Sequence, residues 1–392
     1  MDPICQRDPR LAVGTRRWCS ARGLLAFAAV LLATVAISVG VASAATRSRR
    51  MTEPTSHGYK PSFLACEVTN TGGINDRSFN ASAWDGLQAA QTADPLMKIE
   101  NLQSPSKSDY VRNITTFIGR KCGIIVTVGS QMAAATRQAA AMYSTQDFAI
   151  VDSEYEPAIK NVLALSYKTN QVAFLGGYLA AAMSKTGKVG TFGGENVPAM
   201  TIYMDGWVAG VRYFDQLNHK HVVVLGWTPR PGRAKTSLAG SGLFTFSLTN
   251  QADGRTDALS EIQLGADVIF PVAGSVVGLG AAESVRENRG VTMEWVDTDG
   301  CVSHPSYCPL FITSVTKGIV ASVSHAVLLA ASGKFKGGNY VGTLANNGVS
   351  LSPYHDYANV VPASLQKKIQ TLKQRIIAGK ISVDPNSYPA VS

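Results

Sequence analysis

The feature that most restricts the fold is a repeated alternation. Short apolar runs such as "GIIVTV" (123–128), "FAIVD" (148–152), "NVLALSY" (161–167), "KVGTFGG" (188–194) and "HVVVLGW" (221–227) recur between longer stretches of helical character. Helices are expected over 80–92, 131–142, 170–184 and about 200–217. Further on, "DALSEIQLGADVIFPVAG" reads as helix then strand, "TMEWVD" as strand, and "LFITSVTKGIVASVSHAVLLAASG" as strand then helix. A strand that is apolar throughout is covered on both faces, which is the situation of a parallel sheet between helix layers. The fold class is therefore α/β, doubly wound. The chain has 392 residues, and a domain typically takes ~100–200, so two parallel-sheet lobes joined by a hinge are expected.

Ligands of doubly wound sheets sit beyond the carboxyl ends of the strands. Polar and small residues gather there in this chain: Asn70 to Asn80 after "SFLACEV", Gly129-Ser130, Gly193-Gly194-Glu195, Ala273-Gly274 and Asp297. This pattern describes a cleft between two lobes. Trp84 and Trp207 read as helix-face core.

The net charge of +9 resides mostly at the N-terminus, where residues 1–50 hold eight arginines against Asp2 and Asp8. No basic stripe remains to suggest nucleic acid. Arg16, Arg17 and Arg22 precede an uncharged run over 23–45 that closes on Ala42-Ser43-Ala44, in the style of a signal-peptidase site. The run also exceeds the ~18 residues that can span a bilayer. Residues 1–45 are thus a cleaved signal peptide or a membrane anchor, and 46–60 a polar linker. In either case the body is extracytoplasmic, secreted or anchored to the cell membrane. Cysteine usage fits an exported chain. Cys66, Cys122, Cys301 and Cys308 form an even set with three possible disulfide pairings. Cys301 and Cys308 flank a short loop. Cys66 and Cys122 each begin an apolar run, and are either partners on neighbouring strands or two small buried hydrophobes.

No catalytic constellation emerges. There is no G-x-S-x-G elbow, no phosphate-cradling G-x-x-x-x-G-K-[ST], and no C-x-x-C pair or histidine cluster for a metal. The carboxylates at strand ends are unpaired in sequence. No enzyme activity, cofactor or metal is expected. Two lobes, an export segment and no catalytic set favour a solute receptor that closes about a hinge.

The segment "TNTGGINDRSFNASAWDG" resembles the signature of the basic membrane protein family, also called the purine nucleoside receptor A family. The resemblance continues through "KCGIIVTVGS", "FAIVDSEY", "VAFLGGYLAAAMSKTGKVGTFGG", "MDGWVAGV", "GADVIFPVAG", "VDTDG" and "TSVTKG", about residues 62–385. It implies a type I periplasmic-binding-protein-like fold and the role of substrate-binding component of an ABC transporter. It further implies a monomer that binds a nucleoside-like small molecule and docks on a permease. The lobes are expected over 61–166 with 298–336, and over 167–297 with 337–385. Gly72 and Gly73 let the strand end turn sharply, while Asn75 and Asp76 suit a turn and a helix start. By resemblance Phe79 stacks on a base, Asp297 accepts ribose hydroxyls and Lys317 assists on the sugar side. Asn70, Asn80, Ser130 and Gly274 complete the expected site.

The chain departs from the family on the base side. Asn70 stands where the family has Asp, Ser130 where it has an aromatic, Ala134 where it has Asp, and Gly300 where it has an aromatic. Leu248 occupies the place of a second stacking aromatic. Phe246, two residues earlier, lies on the same face of an extended segment and is the expected substitute. A basic insertion covers 230–239. Two alternatives stay open: a receptor for a non-nucleoside polar solute, and a ligand-sensing signalling protein on the same fold.

Overall fold

The computed structural model describes residues 62–229 and 240–388. The expected signal or anchor, the linker and the basic insertion lie outside these residues. Among the described residues no helix is long and apolar enough to cross a membrane.

The alternation resolves into two six-stranded sheets. The first is built from β1 (Leu64–Val68), β2 (Lys98–Leu102), β3 (Ile124–Val128), β4 (Asp147–Val151), β5 (Val162–Tyr167) and a late strand, β13 (Gly338–Gly342). Its order is β13-β5-β4-β3-β1-β2, all parallel. The second contains β6 (Lys188–Gly193), β7 (Val223–Leu225), β10 (Val268–Val272), β11 (Thr292–Asp297), β12 (Phe311–Lys317) and β14 (Val349–Leu351), ordered β14-β12-β11-β10-β6-β7. Only β14 runs antiparallel there. A small hairpin of β8 (Trp227–Pro229) and β9 (Gly240–Gly242) is separate. The helices are α1 (Phe79–Ala93), α2 (Asp109–Gly119), α3 (Ala133–Met142), α4 (Thr169–Met183), α5 (Pro198–Asn218), α6 (Gln251–Gln263), α7 (Gly274–Glu287), the short α8 (Gly300–Ser303), α9 (Ile319–Ala331) and α10 (Ala363–Ile377). Central strands such as β3 and β10 are buried at every residue, as helices on both faces require. Trp207 is fully buried and stacks on Phe270 at 5.6 Å, and Trp84 packs half-buried against the core.

The sheet pairing corrects the expected partition after Asp297. β12 was assigned with 298–336 to the first lobe, yet it pairs with β11 in the second sheet. β13 was assigned to the second lobe, yet it adds to β5 in the first. Only α9 of the 298–336 segment joins the first lobe, where it packs on α1. The chain therefore crosses between lobes after Tyr167, at Gly318, and after Gly342. These crossings are stitched by backbone bonds from Lys168 N to Gly342 O and from Gly318 N to Gly348 O, both 2.8 Å. The segments touch backbone to backbone: a Cβ on Gly348 would run into Gly342, so only glycine permits this crossing. Pairing of β10 with β11 stops at Ile269↔Met293, short of Pro271, which has no N–H to give. The two strands part there, at the end that faces the cleft.

Of the pairings left open, two are formed: Cys66–Cys122 with Cα atoms 6.0 Å apart, and Cys301–Cys308 at 4.5 Å. Parallel pairing of β1 with β3 brings the first pair together. Its loop is long, so chain entropy assigns it about 4 kcal/mol, against ~2–3 kcal/mol for the short loop. Replacing Cys66 and Cys122 by Ala is expected to lower unfolding stability more than replacing Cys301 and Cys308, as measured by denaturant unfolding without reductant. Equal losses would contradict this account.

Three fully buried carboxyls, Glu67, Glu261 and Glu294, sit in the interior. Burial pushes Glu294 up to about 8, with the Trp207 indole N–H at 2.9 Å as its hydrogen-bond donor. Burial likewise raises Glu67 and Glu261 well above the usual range. A raised folded pKa means the neutral acid is the native form. Its stabilisation is complete below the unfolded value and declines as pH rises toward the folded one. For Glu294, stability is therefore expected to fall from about pH 5 to about pH 8, by up to ~1.4 kcal/mol per pH unit. Glu294→Gln should flatten that slope in a series of thermal melts.

Candidate functional site

The cavity between the lobes encloses about 680 Å³ of non-protein space, its solvent mouth included. Its first wall is the elbow after β1. Asp76, two residues before the Ser78 N-cap position, caps α1: its carboxylate accepts Ser78 N (2.9 Å), Asn80 N (2.9 Å), Ala81 N (3.0 Å) and Asn80 Nδ2 (2.8 Å). Burial raises the Asp76 pKa, and these donors oppose the rise. Asn80 Nδ2 also donates to Asn70 Oδ1 at 2.9 Å, while Asn80 Oδ1 accepts Asn70 N at 3.0 Å. Gly72 N donates to the same Asn70 Oδ1 at 2.9 Å. Asn80 lines the cavity, but both its amide protons are committed. It positions Asn70. The oxygen of Asn70 is likewise saturated, so its NH₂ is the group turned to the cavity, beside Gly129, where a Cβ would come within 2.9 Å. Gly129 has φ 104°, which glycine alone adopts freely.

The centre of the site is a buried lysine. Lys317 ends β12 and donates to Asp152 of the first lobe and, at 3.2 Å, to Asp297 of the second. Its side chain is 3% exposed. Burial alone would lower the Lys317 pKa, but the two carboxylates outweigh it and hold the pKa above the ordinary lysine value. The rings of Phe79 and Tyr203 flank the ammonium, each 5.0 Å from centroid to Nζ. Tyr203 OH donates to Asp297 Oδ1 at 3.0 Å, and burial keeps that phenol protonated by raising its pKa well above the usual value. Both aspartates have left-handed backbones, φ 60° at Asp152 and 66° at Asp297. That region is costly for a residue with a Cβ, and such strain concentrates at ligand clamps. One ammonium between two carboxylates leaves a net negative centre with spare lone pairs, suited to hydroxyl donors.

The remaining wall is mostly apolar: Val197, Met200, Leu248 and Val276, with Ser130 and the start of α7 at Gly274-Ser275. Leu248 does reach the cavity. Phe246 does not: it is 77% exposed and leans on Phe244 at 5.9 Å. Its φ of 52° breaks the extended backbone on which the period-two argument rested. The aromatic missing at Gly300 is explained by space, since a Cβ there would come within 2.8 Å of both Phe311 and Trp295. At the mouth, Glu195 of the second lobe accepts from Gln131 Nε2 (2.9 Å) and Lys107 Nζ (3.3 Å) of the first. Thus Asn70, Phe79, Asn80, Ser130, Leu248, Gly274, Asp297 and Lys317 share one cavity. Asp152, Tyr203, Ser275 and the Glu195 bridge were missed. Asp152 directly follows β4, and Asp297 ends β11, so the strand-end rule carried a signal for it.

Over residues 63–237 the chain matches the family described as ABC transporter substrate-binding protein PnrA-like. It is 28% identical over 382 residues to the ABC transporter nucleoside-binding protein BmpA of Lactococcus lactis subsp. cremoris, covering 92% of this chain and 98% of that one. It is 27% identical over 322 residues to basic membrane protein A of Borreliella burgdorferi, covering 80% and 86%. Among solved structures it resembles an ABC transporter solute-binding protein from Aeropyrum pernix K1, with TM-score 0.71 and 22% identity over 82% of this chain and 92% of that one. That structural likeness speaks for the fold.

Removing the central cation leaves two buried carboxylates facing one another. Lys317→Met is expected to cost about 3–5 kcal/mol, and adding Asp152→Asn should recover part of the loss. Chemical denaturation of the two variants checks this. An unchanged midpoint for Lys317→Met would remove the cation from the centre of the account.

Proposed function

We propose that this chain is a PnrA-like ABC transporter substrate-binding protein and that its solute is nucleoside-like. The two lobes close over it about the glycine-stitched crossings and hand it to an ABC permease. The observation that carries the reading is one juxtaposition: the aromatic face of Phe79 beside a buried Lys317 held between Asp152 and Asp297. A planar base resting on Phe79 puts its sugar within reach of those carboxylates, each of which can take a hydroxyl proton. An aromatic–base stack contributes ~1–3 kcal/mol. With Leu248 in place of a second aromatic, the stack is one-sided, so affinity falls below that of a two-sided sandwich. The name of the Lactococcus lactis relative supports the same solute class. Delivery outside the cytoplasm agrees with the two disulfides, and residues 1–45 are proposed as the export signal or anchor.

Titration calorimetry with adenosine, guanosine, inosine, cytidine and uridine tests the proposal. Binding is expected without a preference for guanosine, because Asn70 replaces a carboxylate that would accept from a donor edge more strongly. Asp297→Ala should weaken every nucleoside, and by more than Asn70→Ala, since the sugar side carries the charged contacts. If no nucleoside binds at millimolar concentration, the solute belongs to another class.

A further inference from the structure

Resting on the nucleoside reading, we infer that the base end of the cavity displays hydrogen-bond donors and therefore selects oxo bases over amino bases, with Ser275 and Asn70 as the residues that discriminate. The argument follows the protons. Thr298 Oγ1 donates to Ser303 Oγ at 3.3 Å. Ser303 Oγ lies 2.9 Å from His304 Nδ1, and His304 Nε2 lies 3.2 Å from Ser275 Oγ. His304 is buried, with its ring 5.0 Å from that of Trp295. Burial and the nearby Arg77 lower its pKa, so the ring is neutral, with one donor and one acceptor nitrogen. Ser303 receives the Thr298 proton and gives its own to Nδ1. The proton on Nε2 then points at Ser275 Oγ. Ser275 accepts it and keeps its own hydroxyl proton for the cavity it lines.

The other side chains at this end agree. Asn70 is 4% exposed, and its oxygen is taken by Gly72 N and Asn80 Nδ2, which leaves its NH₂ for a ligand. The Asp76 carboxylate carries four N–H donors and has no vacancy for a fifth. The start of α7 has no side-chain cap, so its first N–H groups add to the donors around Ser275. Ser130 can act in either sense, and the half-buried Gln131 gives its amide N–H to Glu195 while its carbonyl oxygen lies against Gly129, near the Asn70 NH₂. Charged acceptors are thus concentrated on the Asp152–Asp297 side and donors on the Asn70–Ser275 side, with the Gln131 oxygen as an acceptor among them. The carbonyl oxygen of an oxo base satisfies those donors, joined by the bare N7 beside it in a purine, whereas an exocyclic amine meets them proton to proton.

Matched pairs that differ only at the oxo or amino position provide the test, by calorimetry on the full mature protein. Inosine is expected to bind at least about tenfold tighter than adenosine, and uridine than cytidine, in line with the discrimination of a good base-edge contact. Ser275→Ala should shrink both ratios toward one. Asn70→Asp, which turns a free donor into an acceptor at constant shape, should move both ratios toward the amino bases while leaving the response to Asp297→Ala intact. Equal affinities within each pair, or ratios unmoved by both variants, overturn this inference while the nucleoside reading stands. Failure of every nucleoside to bind overturns both.

Discussion

The charged contact among Lys317, Asp152 and Asp297 organises the molecule. It needs three strand ends to meet: β4 from one lobe, and β11 and β12 from the other. A lysine this deeply buried keeps its proton only because two carboxylates surround it. The carboxylates in turn accept the loss of water because the ammonium lies between them. Each partner removed exposes the cost of burying the others. The left-handed backbones at Asp152 and Asp297 belong to the same balance, since turning both side chains into one space is what the strained conformations achieve.

The bridge at the mouth differs in kind. Lys107 is largely exposed where it meets Glu195, and an exposed pair contributes at most ~1 kcal/mol. Water competes for it and salt screens it. Such a contact registers closure without enforcing it. The deep triad is shielded from both, and its unused lone pairs face the cavity. A hydroxylated solute that fills those positions adds bonds to each lobe at once. Closure is therefore governed by what occupies the cavity, as a receptor that must also release its solute requires.

Much of this was legible in the sequence for a physical reason. Strands buried on both faces cannot hide their apolar runs, so β1, β3 to β6, β10 and β11 were all expected. The edge strand β2 escaped, because "KIENL" is only partly buried and carries no such run. Which sheet a late strand joins depends on pairing across a long stretch of chain, and local pattern does not encode it. Hence β12 and β13 were exchanged between the lobes. Asp297 and Lys317 were readable from motifs, but Asp152 becomes their partner only when the lobes meet. Phe246 failed because one left-handed residue reverses a side chain. Asn80 lines the cavity, but its commitment to Asp76 and Asn70 is invisible without the turn that joins them.

The lobes and their crossings differ in how they resist change. Inside each lobe, strands buried on both faces and disulfide-tied ends leave little freedom, and burial raises the pKa of the interior carboxyls Glu67, Glu261 and Glu294. At the crossings, Gly318, Gly342 and Gly348 pack backbone on backbone with no side chain of their own between. Glycine gives the backbone there its conformational freedom, whereas bending a lobe would break its core. The crossings are therefore where a change in lobe orientation is expected, with each lobe kept as a body. The Asn70–Asn80–Asp76 network in one lobe and the Ser275–His304–Ser303 chain in the other can then keep their proton arrangement whether the cleft is open or closed. A ligand meets donors already oriented in each half, and the act of closing only brings the two halves to it.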